Sequence, residues 1–474
     1  MTKYLYGASV QGIQSYIFST DKLQHIIGAS ELVERVCTEE FREMLKEHSC
    51  NYQIVVEAAG NVKCIFDSKT DCERVVHDFP KRIADIAPGI TISQAVVRME
   101  DNNFADSVDE LERRLMTQRN RPTKSLTLGL MAIERSRKTG LPAVEMTDGE
   151  FIDDVTKHKI DAVADNEATL HLMEKLTGQE VRIRQVPMDI SDMTGGNSWI
   201  AVIHADGNGL GEVVARVGKN PNQLHDFSTN LDKATKAAAQ EAYQKTVTES
   251  GKLPMRAVVL SGDDLTVICR ADIAVDFVQC FLAAFEKQTE QLIGNKLTAC
   301  AGIAFIKSSY PFHYGYQLAE TLCAQAKCDA KSPEMKRGGL APSCLMFHKV
   351  QSSFVEDWTE IAKKELTAAD GSSYQFGPYY LDNQASRWTI CDIMNAVNRL
   401  TKDKDGNAAK TDIREWLTLM ADNPGLAHQK VERVKAIASP AIKQSFTEAI
   451  KPVERNGKKH YPAYDILSLV AIRN

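Results

Sequence analysis

The hydrophobic and polar positions of the first hundred residues follow two periods. Runs that alternate or are continuously apolar predict strands, and apolar residues spaced three or four apart predict helices. The predicted elements, in the order strand, helix, strand, strand, helix, strand, are Tyr4–Val10, Ala29–Glu47, Gln53–Glu57, Val62–Phe66, Lys69–Ile86 and Ile90–Val97. The order βαββαβ is that of a ferredoxin-like unit.

The same order of elements returns about two hundred residues later. The predicted elements are Ser198–His204, Leu231–Thr246, Met255–Leu260, Leu265–Cys269, Ile273–Leu292 and Leu297–Phe305, followed by a helix at Tyr316–Lys327. A repeated order of elements indicates two similar folding units in one chain. We therefore predict an α+β protein that contains two ferredoxin-like βαββαβ units.

The rest of the chain is patterned differently. Turns such as Thr194-Gly195-Gly196-Asn197 and short helical patterns such as Asn166–Leu176 indicate a linking segment between the units. Beyond residue 350 the pattern is helical, with Lys402–Asn407 predicted as a flexible loop. The predicted divisions are a first unit, a linking domain, a second unit and a helical C-terminal domain, at residues 1–117, 118–197, 198–350 and 351–474.

Composition and charge exclude several classes of protein. The 474 residues include 57 Lys and Arg against 63 Asp and Glu, a net charge of −6, whereas proteins that coat nucleic acid are usually strongly basic. No apolar stretch approaches the roughly 18 residues of a membrane span, and no signal peptide is evident, so we expect a cytoplasmic protein without membrane contact. The eleven cysteines form no CxxC pair, so we expect reduced core residues.

Two acidic elements of the second unit lie at the ends of predicted strands. Asp206 follows the apolar run Trp199–Ile203, and Asp263 and Asp264 occupy the turn between the two central strands. The first strand of a βαββαβ sheet is the neighbour of the central hairpin, so the three carboxylates are expected at one edge. Because they would repel each other unless a cation neutralised them, the pattern predicts that they are catalytic ligands of two magnesium or manganese ions.

Residues around these carboxylates fit a bound nucleotide. Glycines at 207, 209 and 211 leave room for a triphosphate beside the backbone, and Gly262 permits the turn. Lys327, on the helix after the last strand, is placed to reach a β- or γ-phosphate, and Lys331 is the alternative. The predicted nucleotide-binding residues are Gly207, Asn208, Gly209, Ser261, Gly262 and Lys327. Taken separately, each acidic element is also typical of a solvated turn.

The first unit lacks the acidic residues. Gly7-Ala8-Ser9 stands where the second unit has Asp206, and Ala58-Ala59-Gly60-Asn61 stands where it has the Asp263-Asp264 turn. We therefore predict that the first unit is a non-catalytic partner that can hold a second nucleotide. The pairs His77-Asp78 and His225-Asp226 each match half of a metal phosphohydrolase site, and no further His/Asp cluster completes either one.

Several motifs occur together in this chain. They are the hairpin Ser261-Gly262-Asp263-Asp264, the strand end Ala205-Asp206-Gly207-Asn208-Gly209-Leu210-Gly211, the strand Ala299–Ala304 followed by Leu318-Ala319-Glu320, and the N-terminal Gly7–Ile17 with Gly28-Ala29-Ser30. In this combination the chain resembles the large polymerase/cyclase subunit of type III CRISPR effector complexes. The resemblance covers roughly Tyr4–Phe347 and implies two palm domains, the first degenerate and the second catalytic.

The chain departs from the family pattern at a few places. Ser261 replaces the first glycine of the Gly-Gly-Asp-Asp hairpin, and Asn208 stands where a second aspartate is frequent. The family's N-terminal HD nuclease domain and its zinc-binding cysteine cluster between the palms have no counterpart, and Arg135–Ala143 occupies the place of the cluster. We therefore expect neither DNA cleavage nor structural zinc.

The resemblance also implies an activity and partners. Two NTPs, with ATP expected, would lie between the palms, and a ribose hydroxyl of one would attack the α-phosphate of the other and expel pyrophosphate. The product would be a cyclic oligonucleotide or cyclic dinucleotide second messenger in antiviral defence. Other CRISPR-like effector subunits or RNA would activate the protein, and a homo-oligomer is a further possibility. Two alternatives stay open, a non-catalytic palm scaffold that binds RNA and partner proteins, and a GTP-using GGDEF-like cyclase.

Overall fold

Most of the chain is described by the computed structural model. It covers residues 2–473 except 21, 59, 101–102, 122–131, 148, 165, 195–197, 249–250, 337–338, 353–356, 385–386 and 403–405. The predicted turn at 195–197 lies outside the described residues. Lys402 ends one helix and Gly406 begins the next, so what is left of the predicted loop, residues 403–405, also lies outside them.

The first sheet has the strand order of a ferredoxin-like unit. Its four antiparallel strands run in the order β2–β3–β1–β4 and are Lys3–Gln11 (β1), Tyr52–Ala58 (β2), Asn61–Phe66 (β3) and Thr91–Met99 (β4). The accompanying helices are Ile13–Ile17 (α1), Leu23–Cys37 (α2), Glu39–Glu47 (α3), Lys69–Ile86 (α4) and Phe104–Arg119 (α5). The predicted helix Ala29–Glu47 is interrupted at Thr38, whose ψ of −88° leaves the helical range.

A small hairpin and two helices follow. They are Ala143–Thr147 (β5), Glu150–Asp153 (β6), Asp154–Asp161 (α6) and Glu167–Thr177 (α7). Asp153 caps α6 by accepting a hydrogen bond of 3.0 Å from the Thr156 amide, and its carboxylate also accepts from the Thr139 and Thr156 hydroxyls. The buried Asp153 side chain therefore joins the hairpin to the helix that follows it.

The second sheet contains the same order within six strands. Its order is β12–β11–β10–β7–β9–β8, and the four strands β10–β7–β9–β8 repeat the ferredoxin-like arrangement. The strands are Trp199–Gly207 (β7), Met255–Ser261 (β8), Asp264–Arg270 (β9), Ala299–Lys307 (β10), Cys344–Lys349 (β11) and Tyr379–Tyr380 (β12). The helices of this part are Leu210–Val217 (α8), Pro221–Thr246 (α9), Ala274–Ile293 (α10) and Phe312–Ala330 (α11).

The last part of the chain is mainly helical. Its elements are Trp358–Lys364 (α12), Ile390–Lys402 (α13), Gly406–Asp422 (α14), Pro424–Ile437 (α15), Pro440–Ala449 (α16), Val453–Arg455 (β13), Lys458–His460 (β14) and Ala463–Arg473 (α17). It is not purely helical, since β12 comes from this part and pairs with β11 of the second sheet. The division of the chain into four segments stays a prediction.

Helix α11 lies directly against the second sheet. A Cβ atom on Gly302 of β10 would come within 1.9 Å of the Ala319 carbonyl oxygen of α11, so only glycine allows this approach. On the other side, α11 meets the first unit, where the rings of Phe18 and Tyr316 stack at 3.8 Å and the Gln14 amide donates to Glu320 over 2.7 Å. Within the described residues, no helix is both long and apolar enough to cross a lipid bilayer.

Candidate functional site

The candidate site lies at one end of β7, the central strand of the second sheet. Ala205 of β7 pairs with Leu265 of β9 on one side, and Asp206 pairs with Cys300 of β10 on the other. Side chains alternate along a strand, so Asp206 shares a face with His204, the face that α11 covers. The sheet therefore brings Asp206 to the hairpin that carries Asp263 and Asp264, as the strand order predicts.

The hairpin turn is fixed by a helix that the sequence did not implicate. Ser261 and Asp264 pair across the turn, and Gly262 has a φ of +64°. The Gly262 amide donates to the Asp232 carboxylate of α9 over 3.2 Å, and Lys236 holds the other carboxylate oxygen at 2.6 Å. Asp232 thus orients the turn that presents Asp263.

Replacing Asp232 by alanine should loosen the hairpin. We expect a loss of about 1 kcal/mol in the free energy of unfolding, because the Gly262 amide and the Lys236 ammonium lose their acceptor. Hydrogen exchange measured by mass spectrometry should show faster exchange across residues 258–266. Asp226→Ala on the exposed side of the same helix is the matched control, and equal exchange in both variants would show that Asp232 does not hold the turn.

Asp206 and Asp263 form a hydrogen-bonded carboxyl pair. Burial, the hydrogen bond to Asp206 and the negative charges of Asp206 and Asp264 raise the pKa of Asp263 to about 8. Burial also acts to raise the pKa of Asp206, but the hydrogen bond from Asp263 and the nearby Lys327 ammonium bring it below its ordinary value. Near neutral pH Asp263 therefore holds the proton of the pair and donates it to an ionised Asp206.

This carboxyl pair makes stability depend on pH when no metal is present. The pKa of Asp263 is about 8 in the folded chain and about 4 in an unfolded one. Between these values the folded state binds more protons, so its stability falls as the pH rises. In a chelating buffer, the wild type should lose stability relative to Asp263→Asn between about pH 4 and pH 8, measured by urea unfolding. If the free energy of unfolding depended on pH in the same way in both proteins, the raised pKa of Asp263 would be contradicted.

Lys327 reaches the site from α11. Its ammonium donates to the Asp206 carboxylate and to the Gly207 carbonyl, the latter over 2.9 Å. Burial acts to lower the pKa of Lys327, but the Asp206 charge raises it above its ordinary value. The sequence predicted that Lys327 reaches a phosphate. In the structure it contacts Asp206, a residue that was predicted to bind metal.

Asp264 has a different environment from Asp263. Among the described residues, no hydrogen-bond partner reaches its buried oxygen Oδ1, from which the His204 Nδ1 atom lies 3.4 Å away. Burial and the charge of Asp206 raise the pKa of Asp264 to about 7. His204 also contacts Thr266 at 3.2 Å and the edge of the Tyr316 ring. Its spacing of two from Asp206 places both side chains on one face of β7.

The predicted loop residues have distinct roles. Asn208 is buried, its amide nitrogen donates to the Thr298 hydroxyl over 3.1 Å, and its own backbone amide donates to the Thr298 carbonyl over 2.8 Å. This ties the loop to β10. A Cβ on Gly207 would come within 3.1 Å of the Asp263 carboxylate, and Gly209 has a φ of +70° where α8 begins. The roles of Gly207, Asn208, Gly209, Ser261 and Gly262 in nucleotide binding stay predictions.

A cavity opens beside the carboxyl pair. Its volume is about 850 Å³, and its wall includes Asp206, Asp263 and the segment Gly207–Val213, which runs from the end of β7 into α8. The cationic side chains on the wall are Arg216, Lys296, Lys331 and Lys336. The cavity is large enough for a nucleotide and combines carboxylates with cations, as binding of a metal-bound triphosphate requires.

The donor set fits a hard divalent cation. Asp206, Asp263 and Asp264 supply carboxylate oxygens, and the orphaned Oδ1 of Asp264 has an unused acceptor position. In the part of the chain that the structure describes, no three His, Cys, Asp or Glu side chains already converge on one metal position. The neutralising charges are instead the proton on Asp263 and the ammonium of Lys327.

The comparison with known families can be set beside this geometry. Residues 199–335 match the family model described as "Cas10/Cmr2, second palm domain", which spans Asp206, the hairpin and Lys327. Residues 199–335 are thus similar to a Cas10-type second palm domain. No curated protein sequence matches the chain. The Cas10-like match falls on the second unit, the one that carries the carboxyl pair.

Solved structures share the fold of this chain. A Csm1–Csm4 cassette in complex with cA4 aligns with a TM-score of 0.61 at 12% identity, over 99% of this chain and 70% of that chain. The cassette with pppApApA gives a TM-score of 0.60 at 12% identity, over 99% of this chain and 69% of that chain. Csm1 in T. onnurineus gives a TM-score of 0.56 at 13% identity, over 100% of this chain and 70% of that chain. At these identities the likeness concerns the fold.

Proposed function

We propose that this Cas10-like palm protein is a nucleotidyltransferase that condenses NTPs into a cyclic oligonucleotide or cyclic dinucleotide. The observation that carries the proposal is the Asp206–Asp263 carboxyl pair at the end of β7, beside a cavity of about 850 Å³ with a cationic wall. A purely structural sheet edge would gain nothing from holding two carboxyl groups in contact. The family match over the same residues supports this interpretation.

Each residue has a proposed part in the reaction. Asp206, Asp263 and Asp264 would hold two magnesium or manganese ions, which when bound neutralise phosphate charge and lower the pKa of an attacking hydroxyl. Glycines at 207 and 209 leave the backbone open to the triphosphate, and Lys327 would contact its β- or γ-phosphate. The ribose hydroxyl of one nucleotide then attacks the α-phosphate of another, and pyrophosphate leaves toward the cationic wall.

ATP is the proposed substrate. Structures similar to this chain contain Csm1–Csm4 cassettes with cA4, with AMPPNP and with one ATP. The first unit, which lacks the carboxylates, would hold the second nucleotide against the first. We propose that the product serves as a second messenger in antiviral defence and that a partner subunit or RNA activates its synthesis, since several of the similar chains are solved as cassettes with Csm4.

The experiment that tests this function uses each nucleotide in turn. The purified chain is incubated with each of the four NTPs and magnesium or manganese, and products are separated and identified by mass. A cyclic or linear oligonucleotide formed from ATP supports the proposal, and one formed from GTP alone favours the GGDEF-like alternative. If no product forms, magnesium-dependent ATP binding measured by calorimetry favours an enzyme that awaits its activator, and absence of such binding favours the scaffold.

A further inference from the structure

Lys327 has a specific position at the end of β7. Its ammonium contacts Asp206 Oδ2 and the Gly207 carbonyl oxygen. A carboxylate and a backbone carbonyl are the two kinds of oxygen that hard divalent cations prefer in proteins. Lys327 therefore contacts the same two oxygens of the strand end that an ion beside Asp206 would use.

The charge balance of the site supports this interpretation. The positive Lys327 ammonium contacts the Asp206 carboxylate directly and offsets its negative charge. The Lys327 side chain is 16% exposed, whereas that of Asp206 is 39% exposed, so the ammonium approaches from the helix side and the carboxylate also faces the cavity. The contact is thus shielded on the side of α11 and open on the side from which an ion and a nucleotide would enter.

The lysine can leave this contact without a movement of the fold. Its flexible four-carbon stem can change rotamer, while α11 is fixed against β10 by the close approach at Gly302. Lys331, the residue directly after α11, lines the cavity, so this end of the helix borders it. A change of side-chain rotamer would therefore carry the ammonium from Asp206 toward the cavity.

We infer that Lys327 is a resident counter-cation that competes with the metal ion for Asp206 and is released when a triphosphate offers the ammonium a better anion. The competition between Lys327 and the metal ion does not depend on which reaction the protein catalyses. The release by a triphosphate rests on the proposed function. Metal and nucleotide should therefore bind cooperatively. A metal ion on Asp206 frees the Lys327 ammonium for the triphosphate, and a triphosphate that binds the ammonium frees Asp206 for the metal ion.

Binding of Mn²⁺ without nucleotide tests the competition. The measurement is electron paramagnetic resonance of free Mn²⁺ in titrations of the full chain at one pH. Lys327→Met keeps the length of the side chain and removes its charge, so it should bind Mn²⁺ about ten- to a hundredfold more tightly than the wild type, the range of one competing charged hydrogen bond. Lys331→Met is the matched control, since it removes a cavity lysine that has no recorded contact with Asp206, and it should bind as the wild type does.

The double variant Asp206→Asn/Lys327→Met identifies the site. It should lose the gain in Mn²⁺ affinity, because the gain arises at Asp206. Equal or weaker Mn²⁺ binding by Lys327→Met, or a gain of the same size in Lys331→Met, overturns the inference, and so does the absence of Mn²⁺ binding in every variant. Thermal unfolding of each protein confirms that the variants are folded before they are compared.

A second series adds AMPPNP to the same titrations. In the wild type the nucleotide should raise the Mn²⁺ affinity by a larger factor than in Lys327→Met, where no lysine has to be released. If the variants behave as expected with Mn²⁺ alone but no protein binds AMPPNP, the competition stands and the proposed function fails. If AMPPNP binds but raises the Mn²⁺ affinity equally in both proteins, the release by a triphosphate is overturned and the proposed function stands.

Discussion

Protein in which Asp263 and Asp264 are both replaced by alanine should form nucleotide product at least about a thousandfold more slowly than the wild type. The variant lacks two of the three carboxylates that would hold the ions, and metal neutralisation of phosphate charge contributes several kcal/mol to such transition states, with about 1.4 kcal/mol for each factor of ten. Single-turnover formation of product from labelled ATP, with whatever activator the wild type requires, measures the effect. Thermal unfolding should show a folded protein, since both residues lie at the end of a hairpin.

A matched control separates loss of the site from loss of any acidic side chain. Asp78 of the first unit lies 2.7 Å from His77 and 3.1 Å from His48, on the surface and away from the second sheet. Asp78→Ala should keep wild-type turnover. A large loss in Asp78→Ala would point instead to a catalytic role of the His77-Asp78 pair, and full activity of the double alanine variant would contradict the proposed carboxylate site.

Gly302→Ala should lower the free energy of unfolding by about 3 kcal/mol. The added Cβ would come within 1.9 Å of the Ala319 carbonyl oxygen and 2.5 Å of the Cys323 amide nitrogen, and both are backbone atoms that cannot rotate away. Helix α11 must then separate from β10, which costs packing as overpacked cores do. Urea unfolding measures the change.

Gly211→Ala is the control for this stability prediction. Gly211 lies in α8 with no atom within 4 Å of an added Cβ. Alanine should therefore leave the free energy of unfolding unchanged or raise it by up to about 1 kcal/mol, because alanine favours helix more than glycine does. A Gly302→Ala protein as stable as Gly211→Ala would show that α11 is not held at this distance.

The order of elements was predictable because the strands are strongly apolar and the helices periodic. The helix predicted at Lys69–Ile86 has the observed bounds, and both sheets show the strand order that βαββαβ implies. The strands β11 and β12 were not predicted, because their pairing joins residues far apart in the sequence and β12 is only two residues long. A sequence pattern records which residues are apolar and does not record which strand a distant segment joins.

The candidate site was predictable to the same extent as its strands. Neighbouring strand ends were expected to bring Asp206 to Asp263, and the structure places the two carboxyl groups in hydrogen-bond contact. The contribution of Asp232 depends on where α9 passes the turn, and that of His204 depends on which face α11 covers. Both follow from packing between elements, for which a local sequence motif gives no signal.

Helix α11 is held at both ends by parts of the chain that lie outside the matched residues 199–335. Gln14 and Phe18 contact its first half, and at its end Asp329 accepts a hydrogen bond of 2.5 Å from the Tyr380 hydroxyl and forms an ion pair of 3.0 Å with Arg387. A fragment cut to the matched segment would keep Asp206, Asp263 and Lys327 but would lack both supports. The second palm is therefore not an excisable module, and a truncated protein is a poor surrogate for screening inhibitors of this site.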